Sequence, residues 1–215
     1  MMNNNNNISE AGSPAIEESN GTTTVGIKTD DGVIVATDRK ASSFITTTKK
    51  DTNKIMKIHP TAVLTMAGSV GDSQKLHHEL RNKVSTYKSK RGRNMPIKSI
   101  PYVMRNIFEN NHYHVEPIVA GVDKTGNYLY VVEANGSIIQ FDEYTSTGSG
   151  LPFAIGVLEQ GYANDLSLEE AKELAFNAIK TASERDNFTG NGIIITTITN
   201  DGIDTNTYDS VQDKL

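Results

Sequence analysis

The fold is decided by residues 21–40, which read GTTTVGIKTDDGVIVATDRK. Two runs rich in strand-forming residues, 22–29 and 33–40, flank the tripeptide Asp30-Asp31-Gly32. Aspartate followed by glycine supports the positive φ angles of a tight turn between antiparallel strands. We therefore expect a β-hairpin at the start of the folded domain.

Residues 1–21 differ in composition from the rest of the chain. They contain the asparagines Asn3 to Asn7, followed mainly by Ser, Glu, Gly and Pro, with almost nothing apolar. Such a segment cannot bury enough apolar surface to offset the entropy lost on folding. The remainder suffices for one domain with a substantial core, since 36% of the 215 residues are hydrophobic. We expect a disordered leader, 1–21, ahead of a single domain, 22–215.

The rest of the chain groups its strands and helices into blocks. Beyond the hairpin, the patterns predict strands at 43–49 and 54–67, helices at about 72–88 and after Ser99, three strands between about 114 and 142, helices at 153–161 and 167–184, and strands at 192–199 and after 202. Asp72 is the expected N-cap of the first helix, and Ser167 with Glu170 predicts a capping box. Strands and helices do not alternate singly, so we expect an α+β fold with two antiparallel sheets between helical layers.

Composition argues against several classes of function. The chain has no cysteine, which removes disulfides, thiolate nucleophiles and cysteine-based zinc sites. A net charge of −5 disfavours nucleic-acid binding, which depends on neutralising many phosphates. The histidines show no metal-ligand spacing, and the chain has no phosphate-loop or dinucleotide fingerprint. Lacking also a long apolar run or a secretory signal, the chain is expected to be cytoplasmic, with no cofactor, metal, membrane or nucleic-acid partner.

Several short strings occur in an order and spacing typical of one family. They are Gly21-Thr22-Thr23-Thr24-Val25-Gly26, Ala36-Thr37-Asp38-Arg39-Lys40-Ala41-Ser42, Lys54-Ile55, Met66-Ala67-Gly68-Ser69-Val70-Gly71-Asp72, Gly148-Ser149-Gly150 and Arg185-Asp186-Asn187-Phe188-Thr189-Gly190-Asn191-Gly192. Together they resemble the β subunits of archaeal-type proteasomes, in the N-terminal-nucleophile hydrolase superfamily. The resemblance covers residues 21–205 and implies a four-layer αββα sandwich.

The resemblance implies a threonine peptidase whose nucleophile is Thr22, released by self-cleavage after Gly21. Lys54 then matches the cation beside the Thr22 hydroxyl, and Asp38 matches the carboxylate that holds the lysine. An ammonium near the Thr22 oxygen favours its alkoxide form and lowers the pKa of the neighbouring amine. Gly68 matches the backbone oxyanion donor, where glycine allows close approach of a substrate.

The chemistry of an N-terminal threonine explains why a leader would be removed. A threonine hydroxyl is a weak nucleophile until a base takes its proton, and a free α-amine, with a pKa of ~7.7–8.0, is such a base. While Gly21 is attached, the Thr22 nitrogen belongs to an amide and cannot accept the proton. By resemblance, Ser149, Asp186 and Thr189 position the amine, although the family commonly has serine in place of Thr189.

The resemblance also implies a substrate pocket and a set of partners. The matching pocket residues are Ala41, Thr52, Met56, Met66 and Val70, with Gln74 near the rim. This lining is mostly apolar, so we expect cleavage after large hydrophobic residues. The implied partners are α subunits, other β subunits in seven-membered rings, a regulatory ATPase complex and unfolded protein substrates.

Other interpretations of the same residues are weaker. Taken singly, Thr22 is an ordinary strand former, and Asp38 with Lys54 an ordinary ion pair. A structural β subunit that builds the ring without cleaving is the main alternative, but it has no need of these three residues together. A bacterial-type two-tiered protease usually has a Gly-Asp pair where this chain has Thr37-Asp38. An α subunit would carry an N-terminal helix in place of the leader.

Overall fold

A computed structural model describes residues 21–42, 47–49 and 53–209. In these ranges the strands are β1 (Thr23–Lys28), β2 (Val33–Asp38), β3 (Ala41–Ser42), β4 (Thr47–Lys49), β5 (Ile55–His59), β6 (Ala62–Thr65), β7 (Ile118–Asp123), β8 (Gly126–Val132), β9 (Ile138–Phe141), β10 (Tyr144–Gly148), β11 (Ile193–Thr199) and β12 (Gly202–Tyr208). The helices are α1 (Val70–Arg91), α2 (Ile100–Phe108), α3 (Leu151–Gly161) and α4 (Leu168–Arg185). The predicted leader lies outside the described residues, except for Gly21.

Two antiparallel sheets form the centre of the domain. The first has the strand order β10-β1-β2-β11-β12, and the second has the order β5-β6-β7-β8-β9. The short strands β3 and β4 pair separately. The predicted hairpin is present, because β1 pairs with β2 and places Thr24 opposite Thr37. Its turn is closed by a hydrogen bond of 2.9 Å from Thr29 N–H to the Gly32 carbonyl.

Alternating side chains in the central strands bury both faces of each sheet. In β2, Val33 and Val35 pack between the sheets, in a cluster that includes Ile118 of β7. Ile34 and Ala36 face the other way and pack in the cluster formed with α3 and α4. The second sheet is covered in turn by α1 and α2. The layers therefore follow the order helices, sheet, sheet, helices, and the predicted αββα sandwich is confirmed.

The helices cover the sheets through the apolar faces expected from the sequence. In α1, Leu76, Leu80 and Val84 are buried at every fourth position. The helix α4 begins with the predicted capping box, in which Ser167 and Glu170 satisfy each other's backbone N–H groups. No helix in the described part of the chain is both long and apolar enough to cross a membrane.

The start of α1 differs from the prediction. Its N-cap is Ser69, whose hydroxyl accepts a hydrogen bond of 3.3 Å from Asp72 N–H. Asp72 lies instead in the first turn, where its negative charge is favourable at the N-terminal end of the helix dipole. The prediction was wrong because serine and aspartate are both preferred N-caps, and Val70 and Gly71 carry no strong helix signal between them.

Two strand predictions also require correction. Residues 54–67 form the hairpin β5–β6 rather than one strand, with a turn at Pro60 and Thr61 that the apolar residues on either side conceal. The strand β10 was not predicted. After β9 the chain passes from the second sheet to the first, where β10 pairs with β1. Of the strand predicted at 43–49, Thr47–Lys49 is present as β4, and residues 43–46 lie outside the described part.

Candidate active site

The two sheets bring together three residues that are distant in sequence. Thr22 immediately precedes β1, and Asp38 ends β2, the strand paired with β1. Lys54 immediately precedes β5, which belongs to the second sheet. The site around Thr22 therefore depends on the packing of one sheet against the other.

The Lys54 ammonium links the Thr22 hydroxyl to the Asp38 carboxylate. Lys54 Nζ lies 2.9 Å from Thr22 Oγ1 and 2.8 Å from Asp38 Oδ1. Both charged residues are buried, since Lys54 is 3% exposed and Asp38 is 0% exposed. Removing such a pair from water is costly, and the cost is offset only when further hydrogen bonds satisfy both partners.

Backbone donors supply those further hydrogen bonds to Asp38. Thr23 N–H donates to Oδ1 at 3.1 Å. Lys40 N–H and Gly190 N–H donate to Oδ2 at 3.0 Å and 3.1 Å. Both carboxylate oxygens are thus held, and Asp38 can fix the position of the Lys54 ammonium.

Burial shifts the pKa values of this pair in opposite directions. Loss of hydration lowers the pKa of the Lys54 ammonium below its ordinary range, although the Asp38 charge opposes the shift. Burial raises the pKa of the Asp38 carboxyl, against the effects of Lys54 and the backbone donors.

Three more residues named from the sequence are joined by hydrogen bonds, and one of them, Ser149, contacts the Thr22 nitrogen. Thr22 N–H donates to Ser149 Oγ at 3.2 Å. The hydroxyls of Ser149 and Thr189 both donate to Asp186 Oδ2, each at 2.6 Å. Asp186 is therefore a shared acceptor that orients the serine next to the Thr22 nitrogen.

Thr23 joins the two groups of polar contacts and was not singled out by the sequence analysis. Its N–H contacts Asp38, and its Oγ1 lies 2.7 Å from Thr189 Oγ1. A hydroxyl has one proton, and Thr189 uses its proton on Asp186, so Thr23 must be the donor to Thr189. In the sequence, only its position beside Thr22 distinguishes Thr23 from other strand threonines.

Gly68 has a backbone conformation that few other residues adopt. Its φ is +104°, and a Cβ there would lie 2.3 Å from the His114 carbonyl oxygen. The close approach of this neighbouring segment gives a reason for glycine beyond the expected approach of a substrate. Gly68 also forms an antiparallel bridge with Val115, whose two hydrogen bonds come from Ser69 N–H and Glu116 N–H. The bridge therefore does not use Gly68 N–H.

The expected pocket residues are only partly described. Thr52 lies outside the described residues, and Ala41 begins β3. Among the others, Met66 is buried, Met56 and Val70 are half-buried, and Gln74 is exposed. Met66 N–H donates to the Lys54 carbonyl at 2.8 Å, which places the Met66 backbone next to that of Lys54.

Two of the histidines make ordinary hydrogen bonds to nearby residues. His59 is buried, and its Nδ1 accepts a hydrogen bond of 3.2 Å from Thr61 N–H. His77 Nε2 lies 3.1 Å from the Lys57 carbonyl oxygen. Across the described ranges, no group of three His, Asp or Glu residues is placed to hold a metal ion.

The chain matches one family model and several relatives that carry the same family name. The proteasome subunit family model matches residues 18–198. The chain is similar to the proteasome subunit beta of Haloferax volcanii, with 46% identity over 189 residues, covering 87% of this chain and 77% of the relative. It is also similar to the proteasome subunit beta of Haloquadratum walsbyi, with 42% identity over 201 residues, covering 93% and 82%. The proteasome subunit beta 1 of Haloarcula marismortui is 43% identical over 193 residues, covering 88% and 79%.

Proposed function

The chain belongs to the proteasome subunit family, as a relative of archaeal β subunits, and from this premise we propose that it is an active threonine endopeptidase of the proteasome core. The proposal rests on the position of Lys54, whose ammonium contacts both the Thr22 hydroxyl and the Asp38 carboxylate. A silent subunit that only builds the ring has no use for a buried ion pair whose lysine contacts the Thr22 hydroxyl. The geometry therefore favours the peptidase over that alternative.

The contact between Thr22 and Gly21 supports removal of the leader, 1–21, by self-cleavage. The Thr22 hydroxyl donates to the Gly21 carbonyl oxygen at 2.8 Å. In the proposed reaction, Thr22 Oγ attacks the Gly21 carbonyl carbon, the Gly21–Thr22 C–N bond breaks, and the hydroxyl proton passes to the released nitrogen. Water then hydrolyses the ester, which restores the Thr22 hydroxyl and leaves Gly21 with a carboxylate. The peptidase domain, 22–215, then begins with a free amine.

In the processed subunit the Thr22 amine acts as the general base. It takes the hydroxyl proton as Oγ attacks the substrate carbonyl, and it later gives that proton to the leaving amine. Lys54 stabilises the developing charge on Oγ, and Gly68 N–H donates to the oxyanion. Water, activated by the same amine, hydrolyses the acyl ester and returns the enzyme.

Ser149, Asp186 and Thr189 are proposed to orient the amine. The serine gives its own proton to Asp186, so its oxygen can accept a hydrogen bond from the Thr22 nitrogen. With one N–H directed at Ser149, the nitrogen lone pair remains available to the hydroxyl on the same residue. Threonine at position 189 fulfils this role with the same hydroxyl contact that a serine would make.

Membership of the family implies assembly into a proteasome core with other subunits. We further propose rings of seven β subunits capped by α subunits, supplied with unfolded proteins by a regulatory ATPase complex in the cytoplasm. The resemblance to archaeal-type proteasome β subunits supports this arrangement.

Removal of the leader is the direct test of the proposal. We expect the chain assembled with its α partner to lose residues 1–21, because the reaction requires a free amine at Thr22. Intact-mass measurement and N-terminal sequencing of active particles detect the change. Particles that hydrolyse peptides while every copy retains residues 1–21 would rule the proposal out.

The apolar residues Met56, Met66 and Val70 predict the cleavage preference. Substrates should be cut best after leucine or tyrosine. The lining residues Met56, Met66 and Val70 are uncharged, so they provide no counter-ion for a charged substrate residue. Met66→Arg should lower cleavage after tyrosine by about tenfold and raise relative cleavage after glutamate. A panel of fluorogenic peptides differing only in the residue before the cleaved bond measures both effects, and Met66→Leu is the matched control. A wild-type preference for arginine or glutamate contradicts the proposed lining.

A further inference from the structure

Gly21, the residue before the proposed nucleophile, lies against the side chain of Phe188. A Cβ on Gly21 would lie 1.8 Å from Phe188 Cβ, 2.5 Å from Phe188 Cγ and 2.9 Å from Ser149 Oγ. All three distances are below 3.0 Å, a separation that real Cβ atoms essentially never show. Any side chain at position 21 therefore requires Gly21 or the loop that carries Phe188 to move.

A change of rotamer does not remove this obstruction. The nearest atom is Phe188 Cβ, which is bonded to the backbone and keeps its place when the ring rotates. The backbone is itself held, because Phe188 N–H donates to Asp186 Oδ1 at 3.1 Å. Farther along the same loop, the Thr189 hydroxyl bonds to Asp186, and Gly190 N–H bonds to Asp38. Moving the loop therefore disturbs contacts on both sides of Thr22.

The position of Gly21 matters because its carbonyl is the group that Thr22 would attack. The Thr22 hydroxyl already lies 2.8 Å from that carbonyl oxygen. We propose that Phe188 restricts the residue before Thr22 to glycine, and so sets the position of the scissile carbonyl during leader removal. Phe188 is thus a specificity-determining residue for processing, a role that rests on the proposed self-cleavage.

Size-complementation variants of the full chain, assembled with its α partner, test this role. Gly21→Ala should slow loss of residues 1–21 by about tenfold or more, because an added methyl group in a filled site raises the barrier. Phe188→Gly removes both Phe188 contacts with the new methyl, whereas Phe188→Ala removes only the contact from Cγ. Placed on the Gly21→Ala background, the two changes should accelerate processing in the order Phe188→Gly, then Phe188→Ala, then Gly21→Ala alone.

The readout is the fraction of chains that begin at Thr22, measured by intact mass over time after assembly. Acceleration of a slow variant by a second substitution supports the proposal, since general damage to the loop slows processing further. If Phe188→Gly prevents assembly, Gly21→Ala/Phe188→Ala is compared with Gly21→Ala instead, and a smaller acceleration is expected because the contact from Phe188 Cβ remains. Normal processing of Gly21→Ala, or no acceleration by either Phe188 change, overturns the role of Phe188. Failure of the unmodified chain to lose residues 1–21 points instead to failure of the proposed self-cleavage.

Discussion

Thr22→Ala is expected to abolish both leader removal and peptide hydrolysis, with a rate loss of at least about 10⁴-fold. The hydroxyl that Lys54 contacts is the proposed nucleophile for both reactions, and alanine leaves no group to replace it. Thr22→Ser keeps the hydroxyl and should retain both reactions at a reduced rate. Intact mass reports leader removal, and a fluorogenic peptide reports hydrolysis.

A neighbouring threonine provides the matched control for this experiment. Thr24 lies on β1, two residues after Thr22, and is buried, but its hydroxyl pairs with Thr147 at 2.7 Å. Thr24→Ala should therefore lose some stability, about 1 kcal/mol for a buried hydrogen bond, while still processing its leader. If Thr22→Ala particles mature and cleave peptides as Thr24→Ala particles do, the nucleophile is another residue.

Lys54→Ala is expected to eliminate peptide hydrolysis, with a loss of at least about 10³-fold from the absence of the cation beside the reacting oxygen. It also leaves the buried Asp38 carboxylate without its ion-pair partner, so the free energy of unfolding should fall by about 3 kcal/mol or more. Lys57→Ala is the matched control, because Lys57 lies on the adjoining strand and is exposed. Turnover by assembled Lys54→Ala particles near that of Lys57→Ala would exclude the electrostatic role.

Asp38→Asn removes the charge of the carboxylate and one of its two acceptor oxygens while keeping its size. Asparagine is similar in size, but its single side-chain oxygen cannot replace both acceptors that bind Thr23, Lys40 and Gly190. Activity should fall severely, though by less than in Lys54→Ala, because the ammonium remains but is held less well. Asp142→Asn, at an exposed ion pair with Lys28, should leave hydrolysis unchanged.

Local sequence accounts for most of the individual elements. The turn residues Asp30-Asp31-Gly32 predict the first hairpin, and Ser167 with Glu170 predicts the start of α4, since these signals act over a few residues. The errors occur where local signals compete or are weak. Ser69 and Asp72 are both good N-caps, and the apolar residues around Pro60 conceal a turn.

The sequence by itself determined the layered fold class, the family resemblance and the residues to test at Thr22, Asp38 and Lys54. It did so because strand alternation, capping and motif spacing are properties of the chain read in order. Only the tertiary structure gave the distance between Lys54, just before the second sheet, and Thr22, just before the first, since that distance depends on how the two sheets pack.

The same reason explains why Thr23 and Phe188 emerged only from the structure. Thr23 meets Thr189 across a separation of 166 residues, and Phe188 meets Gly21 through a loop folded back on the first strand. Nothing in the local pattern of a strand threonine or a loop phenylalanine marks such a contact. Hydrogen bonding and close packing between distant segments gave these two residues their positions.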